Sequence, residues 1–185
     1  MVGCMAYHHG RLRESLIEAA VAAIEQEGVA RLSLRDLARR VGVSHAAPAH
    51  HFGDREGLFT AIATDGFDRL AVALEAARDD FVEAGVAYVR FATSERGRFE
   101  VMFRPDLLRP DDPELTAAMD RAGDVLRSGA ATERGDDRTN GLAAWSLVHG
   151  FSTLWNAGAI QREEGAEAEG LARAVAGVLF GHAPR

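Results

Sequence analysis

The sequence predicts an all-α chain of about nine helices, and three observations carry that prediction. Apolar residues recur at spacings of three and four along most of the 185 residues. No stretch alternates apolar and polar as a half-buried strand would. Glycine, proline and capping residues punctuate the pattern at helical intervals.

Taken in order, Leu12, Leu16, Ala20 and Ile24 line one face of a first helix that stops after Glu27, where Gly28 follows. Ser33 is placed to cap a second helix, LRDLARRV, which Gly42 ends. Ser44 is placed to cap a short third helix through HAAPAHH, with Pro48 either its fourth residue or in the first turn of a helix that begins slightly later. Asp54 caps a long fourth helix with the stripe Phe59, Ala63, Phe67, Leu70 and Leu74. A fifth segment runs from Phe81 to about Arg96, and a short piece lies around FEVMF. RPDLLRPDDP is a loop by its three prolines, the last of which, Pro113, suits the first turn of the next helix. That helix carries Leu115, Met119, Ala122 and Leu126 and ends near Gly129. The polar stretch ATERGDDRTNG reads as an internal linker, and two last helices fill roughly 138–162 and 166–181.

Composition narrows the function classes. Apolar residues make up 47% and charged residues 26%, ordinary globular usage, and a chain this long buries a sizeable core. The single cysteine, Cys4, excludes an internal disulfide and fits a reducing compartment. The first ten residues show no signal-peptide core, so a cytoplasmic location is expected rather than secretion. All 21 basic residues are arginine. The first sixty residues are charge-neutral and hold five of the seven histidines, and the whole net charge of −7 lies after them. Two parts with two tasks are expected, divided as residues 9–70 and 71–185.

Residues 33–52, SLRDLARRVGVSHAAPAHHF, carry the most specific signal. Ala38 followed by Gly42 has the spacing of a helix-turn-helix. The small Ala38 lets the second helix approach closely, and Gly42 can take the left-handed backbone of the sharp turn. Leu34, Leu37, Val41 and Phe52 supply the core beneath, and HAAPAHH is presented outward where a recognition helix meets base edges. One amphipathic helix ahead, a capped hairpin, HHF, and a charged pair opening a long helix together resemble the DNA-binding domain of the TetR family of bacterial repressors over residues 9–70. AYVRFA (87–92), VMFRPDLL (101–108) and AWSLVHGF (144–151) are similar to the WHG-type effector domain of that family.

The resemblance implies site residues. It makes Ser44, His45, Ala46, Ala47, His50 and His51 the face toward the major groove and its phosphates, with Ser33 and Arg35 as backbone or edge contacts. Arg55 stands where the family usually has a phosphate-binding lysine, and Ala49 stands where it usually has an aromatic residue. Trp145 and His149, with Phe103 and Arg104 opposite, are implied as an effector pocket, Arg104 alternatively pairing with Asp106. The last helix sets Leu171, Val175 and Val178 on one face, and residues 141–160 carry no formal charge, so the two final helices are expected to form a homodimer interface. That uncharged stretch has membrane-span length, but its His149, Asn156, Ser146, Ser152 and Thr153 favour burial in protein over lipid.

Other chemistry is poorly supported. His8-His9 and His50-His51 are adjacent pairs without metal-ligand spacing, so no metal and no cofactor are expected. No G-x-S-x-G is present, and His149 beside Ser146 and Ser152 reads as a core or pocket histidine, so no catalytic residues are assigned. The expected function is a ligand-responsive, DNA-binding transcriptional regulator, in the first instance a repressor, that binds a palindromic operator as a homodimer and is released by a small-molecule effector. The alternative is a helical small-molecule-binding or catalytic protein that has lost DNA binding.

Overall fold

The computed structural model describes residues 3–130, 137–161 and 166–180, and the side chains of residues 11–126, 138–161 and 166–177. All regular structure among them is helical: α1 (Gly3–Glu27), α2 (Leu34–Val41), α3 (Ala46–Phe52), α4 (Arg55–Glu75), α5 (Phe81–Ser94), α6 (Arg96–Met102), α7 (Pro113–Ala130), α8 (Asp137–Asn156) and α9 (Ala168–Phe180). Single 3-10 turns occupy Val29–Arg31 and Pro105–Leu107. No helix among the described residues is long and apolar enough to cross a membrane.

Three boundaries differ from those the sequence suggests. The third helix begins after His45 rather than after Ser44, whose carbonyl instead accepts the Ala47 N–H at 3.0 Å. Pro48 thereby falls in the first turn, where its missing N–H has no intrahelical partner to lose. The eighth helix ends at Asn156, not near 162. Gly158 turns to φ +70°, and Ala159 N–H bonds back to the Leu154 carbonyl at 2.9 Å, closing the helix. Asp137–Gly141 of the expected linker belong to α8, and the rest of it, 131–136, lies outside the described residues.

The chain divides into two compact units. The first comprises Met1–Gly66 and Gly97–Thr116, the second Phe67–Arg96 and Ala117–Arg185. Residues 97–116 belong to the first unit and separate the two stretches of the second.

In the first unit, Leu16, Ala20, Ile24, Leu37, Leu58 and Ile62 are essentially inaccessible and form the core beneath α2 and α3. Arg98 of α6 is the one fully buried guanidinium among the described side chains. It bonds Asp65 of α4 at 2.7 Å and Glu18 of α1. A buried cation needs such partners, and removing either acid would cost the guanidinium one of these two carboxylate acceptors.

In the second unit, α5 packs against both α8 and α9. Ala168, Ala172 and Ala176 of α9 are buried, so the small residues serve close approach to α5 within the chain. Two bidentate pairs, Arg90–Glu169 and Arg173–Glu83, flank that contact.

Candidate functional site

The hairpin is built from local chemistry. The Ser33 hydroxyl accepts the Asp36 N–H at 3.1 Å and donates to the Asp36 carboxylate at 2.8 Å, fixing the start of α2. At its other end Gly42 takes φ +76°, and the N–H groups of Gly42 and Val43 both reach the carbonyl of Ala38. Ala38 itself is fully buried where the two helices meet.

This geometry turns one side of α3 outward. Ser44, His45, Ala46, Ala49 and His50 are exposed, Ala47 and His51 are half-buried, and Pro48 and Phe52 point into the unit. The rings of His50 and His51 stand edge-on with centroids 5.7 Å apart. Arg13 of α1 lies over the Phe52 ring at 5.7 Å. Arg35 is exposed at the first turn of α2, beside the half-buried Ser33, whose hydroxyl is committed to its cap.

Arg55 is held by its own chain. Its Nε donates to the Leu32 carbonyl at 3.0 Å and an Nη to the Val29 carbonyl at 2.6 Å, while the guanidinium lies 4.8 Å from the centroid of Phe59. The side chain therefore ties the start of α4 to the turn that precedes α2.

Sequence reasoning missed Arg109. Its Nη donates to Asp54 Oδ1 at 2.8 Å, and its backbone N–H donates to Thr60 Oγ1 at 3.0 Å. Asp54 in turn accepts the Gly57 N–H at 2.8 Å. That N–H, followed by the Arg109 pair, holds the Asp54 carboxyl below its usual range. Gly57 is obligatory, because a Cβ there would sit 2.0 Å from the Phe52 carbonyl oxygen. No periodic pattern reveals the Arg109 contact, since the two residues are 55 apart in sequence.

The residues implied as an effector pocket divide between the units. Phe103 and Arg104 belong to the first, where Phe103 packs edge-on against Phe99 and Arg104 forms a bidentate pair with Asp106 at 2.9 Å. Trp145 and His149 belong to the second. There the fully buried Tyr88 hydroxyl accepts the Trp145 indole N–H at 3.3 Å and lies 3.0 Å from His149 Nδ1. With the indole donating, the arrangement that satisfies every group has Tyr88 donate to Nδ1. Burial lowers the His149 pKa and raises that of Tyr88, so both are neutral at pH 7. Ser152 is inaccessible, and its hydroxyl donates to the Val148 carbonyl at 2.7 Å.

Elsewhere in the second unit a small apolar cleft of about 30 Å³ lies among Leu74, Val82, Leu126, Val148 and Ala176. On the outward side of α8 and α9, Leu142, Trp145, Leu154 and Leu171 are exposed. Val175 is half-buried, and the side chain of Val178 lies outside the described ones. Among the described residues no cluster of three or more His, Cys, Asp or Glu is arranged to hold a metal ion.

Comparison with known proteins matches this arrangement at both ends of the chain. Residues 16–62 match the profile of bacterial regulatory proteins of the tetR family, and residues 81–182 match that of a tetracyclin repressor-like C-terminal domain. An uncharacterised HTH-type transcriptional regulator of Mycobacterium tuberculosis is 32% identical over 152 residues, 77% of this chain and 69% of that protein. With the HTH-type transcriptional regulator BetI 2 of Chromohalobacter salexigens the match is 36% over 81 residues, 42% of this chain and only 39% of that longer relative. A solved structure of a protein of unknown function from Rhodococcus sp. RHA1 superposes with a TM-score of 0.79 at 32% identity, covering 97% of this chain and 98% of that one.

Proposed function

The chain belongs to the TetR family of bacterial transcriptional regulators, and from that premise we propose that it is a ligand-responsive repressor. It binds a palindromic operator as a homodimer in the cytoplasm, and a small-molecule effector releases it. The observation that carries this reading is the outward side of α3, held by Pro48 and Phe52 beneath and ended by a glycine-dependent turn. Ser44, His45, Ala46, Ala47, His50 and His51 then meet base edges and phosphates, with Arg35 of α2 and its cap residue Ser33 at the backbone. Arg55 approaches a phosphate from the start of α4, and its inward bonds fix the distance at which it does so.

Dimerisation is supported by apolar surface left exposed among the described residues. Leu142 is 58% and Leu154 51% exposed, while the opposite side of α8 is buried. A second copy related by a two-fold axis covers such a surface in a bundle of α8 and α9. Effector release is then a population shift, since a ligand that prefers a differently spaced dimer lowers the DNA-competent fraction.

One observation favours the alternative of a ligand-binding protein without DNA affinity. Ala49 is exposed on α3 in place of a larger contact residue. A gel shift with the DNA flanking the protein's own gene tests the proposal. A discrete complex competed by the same duplex and not by a scrambled one supports the repressor, and no discrete complex overturns it.

A further inference from the structure

The 3-10 turn Val29–Arg31 and the helix α2 that follows it carry a local excess of positive charge. Residues 28–42 hold four arginines against one aspartate, net +3, in a chain whose net charge is −7. Two of the four are neutralised nearby. Arg39 pairs at 2.8 Å with Asp36, a carboxylate that also takes the Ser33 hydroxyl, and Arg40 pairs with Glu27 of α1. Arg31 and Arg35 are exposed, and among the described residues no hydrogen bond or ion pair holds either guanidinium. Val29 and Leu32 are buried, three residues apart as one turn of 3-10 helix allows, so Ala30 and Arg31 between them face solvent. The carbonyls of Val29 and Leu32 are also the acceptors of Arg55. Arg55 thus spends two of its N–H groups bracing this turn against the start of α4, whereas Arg31 keeps its whole guanidinium fork for solvent.

Two uncompensated cations on one short segment repel each other, and a polyanion laid across them relieves that repulsion. At most about 14 Å of chain separates Arg31 from Arg35. Phosphates of one DNA strand recur about every 3.4 Å along the helix axis, so both guanidiniums can hold phosphates of a single backbone. We propose that Arg31 is a DNA-phosphate contact that, with Arg35, grips the backbone beside the groove entered by α3. A guanidinium fork matches a phosphate in two parallel hydrogen bonds, and such a contact adds affinity without reading sequence. That the phosphates are those of duplex DNA rests on the regulatory reading above.

Fluorescence anisotropy of the full-length protein with a duplex of arbitrary sequence, measured from about 50 to about 200 mM salt, tests the contact. Arg31→Gln should flatten the fall of log K with log salt by about one unit per bound subunit. The affinity lost across this salt range then shrinks about threefold to fourfold per subunit. Arg31→Lys keeps a cation and should keep the slope. Arg121→Gln removes the same charge from the second unit, and its slope should equal that of the wild type. Because Arg31 is exposed, Arg31→Gln should match the wild type in helix content and urea midpoint. A slope unchanged in Arg31→Gln, a slope flattened equally by Arg121→Gln, or a wild type that binds no duplex at about 50 mM salt would overturn the proposal. Sequence preference is scored separately, with duplexes from the DNA flanking the gene. An Arg31-dependent slope without any preferred duplex removes the operator-specific regulator and leaves the phosphate contact standing; a preferred duplex with an unchanged slope in Arg31→Gln removes the contact and leaves the regulator standing.

Discussion

Arg109 reaches across 55 residues of sequence to donate to Oδ1 of Asp54, the oxygen that also receives the Gly57 N–H and so caps α4. One carboxylate thereby fixes both the start of the helix behind α3 and the loop that follows α6.

The first prediction separates those two tasks. Asp54→Ala loses the cap and should cost about 1 kcal/mol by urea denaturation. Asp54→Asn keeps a capping oxygen and should cost under about 0.5 kcal/mol, because an exposed ion pair contributes little. The Asp54 pKa is depressed in the fold, so its stabilisation is present above the unfolded value and is lost as pH falls through the lower folded one. Asp54→Asn should flatten the acid limb of stability below about pH 4. Equal loss in both variants would contradict the capping role.

Arg55 should matter to folding as well as to DNA. Arg55→Ala removes the side-chain donor from the Leu32 carbonyl and one of the two donors from the Val29 carbonyl, which keeps the Leu32 N–H, and should cost about 1–2 kcal/mol. Lysine cannot span both acceptors, so Arg55→Lys should recover less than half of that. Full recovery in Arg55→Lys, read from the urea midpoint, would mean that charge alone is needed there.

His149 makes stability depend on pH. Burial depresses its pKa in the fold, so its contribution is full above the unfolded value near ~6.5 and is lost as pH falls through the lower folded value. His149→Phe removes that titration and the bond to Tyr88 at 3.0 Å. The variant should melt lower at pH 7.5, and the difference should shrink toward pH 5.5. A difference constant with pH would assign His149 a purely steric place.

The exposed side of α8 and α9 should set the oligomeric state. Leu154→Asp and Leu171→Asp lie on solvent-facing positions, so an isolated subunit tolerates them, but each buries a charge in a dimer. Light scattering should find monomers for the double variant at concentrations where the wild type is dimeric. A double variant that stays dimeric would locate the interface elsewhere.

Features within four residues of one another were legible in the sequence. Ser33 capping α2, the left-handed Gly42 and Asp54 capping α4 each follow from a local backbone requirement, and all three are present. The end of α8 was also signalled, by Gly158, but a long uncharged stretch outweighed one glycine. Contacts between distant segments left no trace. Arg55 and its acceptors are 23 and 26 residues apart, and Tyr88 and His149 are 61 apart. Periodicity gives the face of a helix but not its neighbour, so it could not foretell that Phe103 and Arg104 belong to one unit and Trp145 and His149 to the other.

On the proposed function, the outward side of α3 reads a specific DNA sequence. Fluorescence anisotropy at physiological salt, with duplexes of about 30 base pairs tiling the DNA that flanks the gene, measures it most directly. One duplex should bind with a Kd of about 10⁻⁸ M or below, two subunits per site, at least about 10³-fold tighter than its scrambled counterpart. His50→Asp, placing a carboxylate on that exposed surface, should erase the preference without unfolding the protein. A wild-type protein that binds every duplex within tenfold of the scrambled one would show that α3 reads no specific sequence.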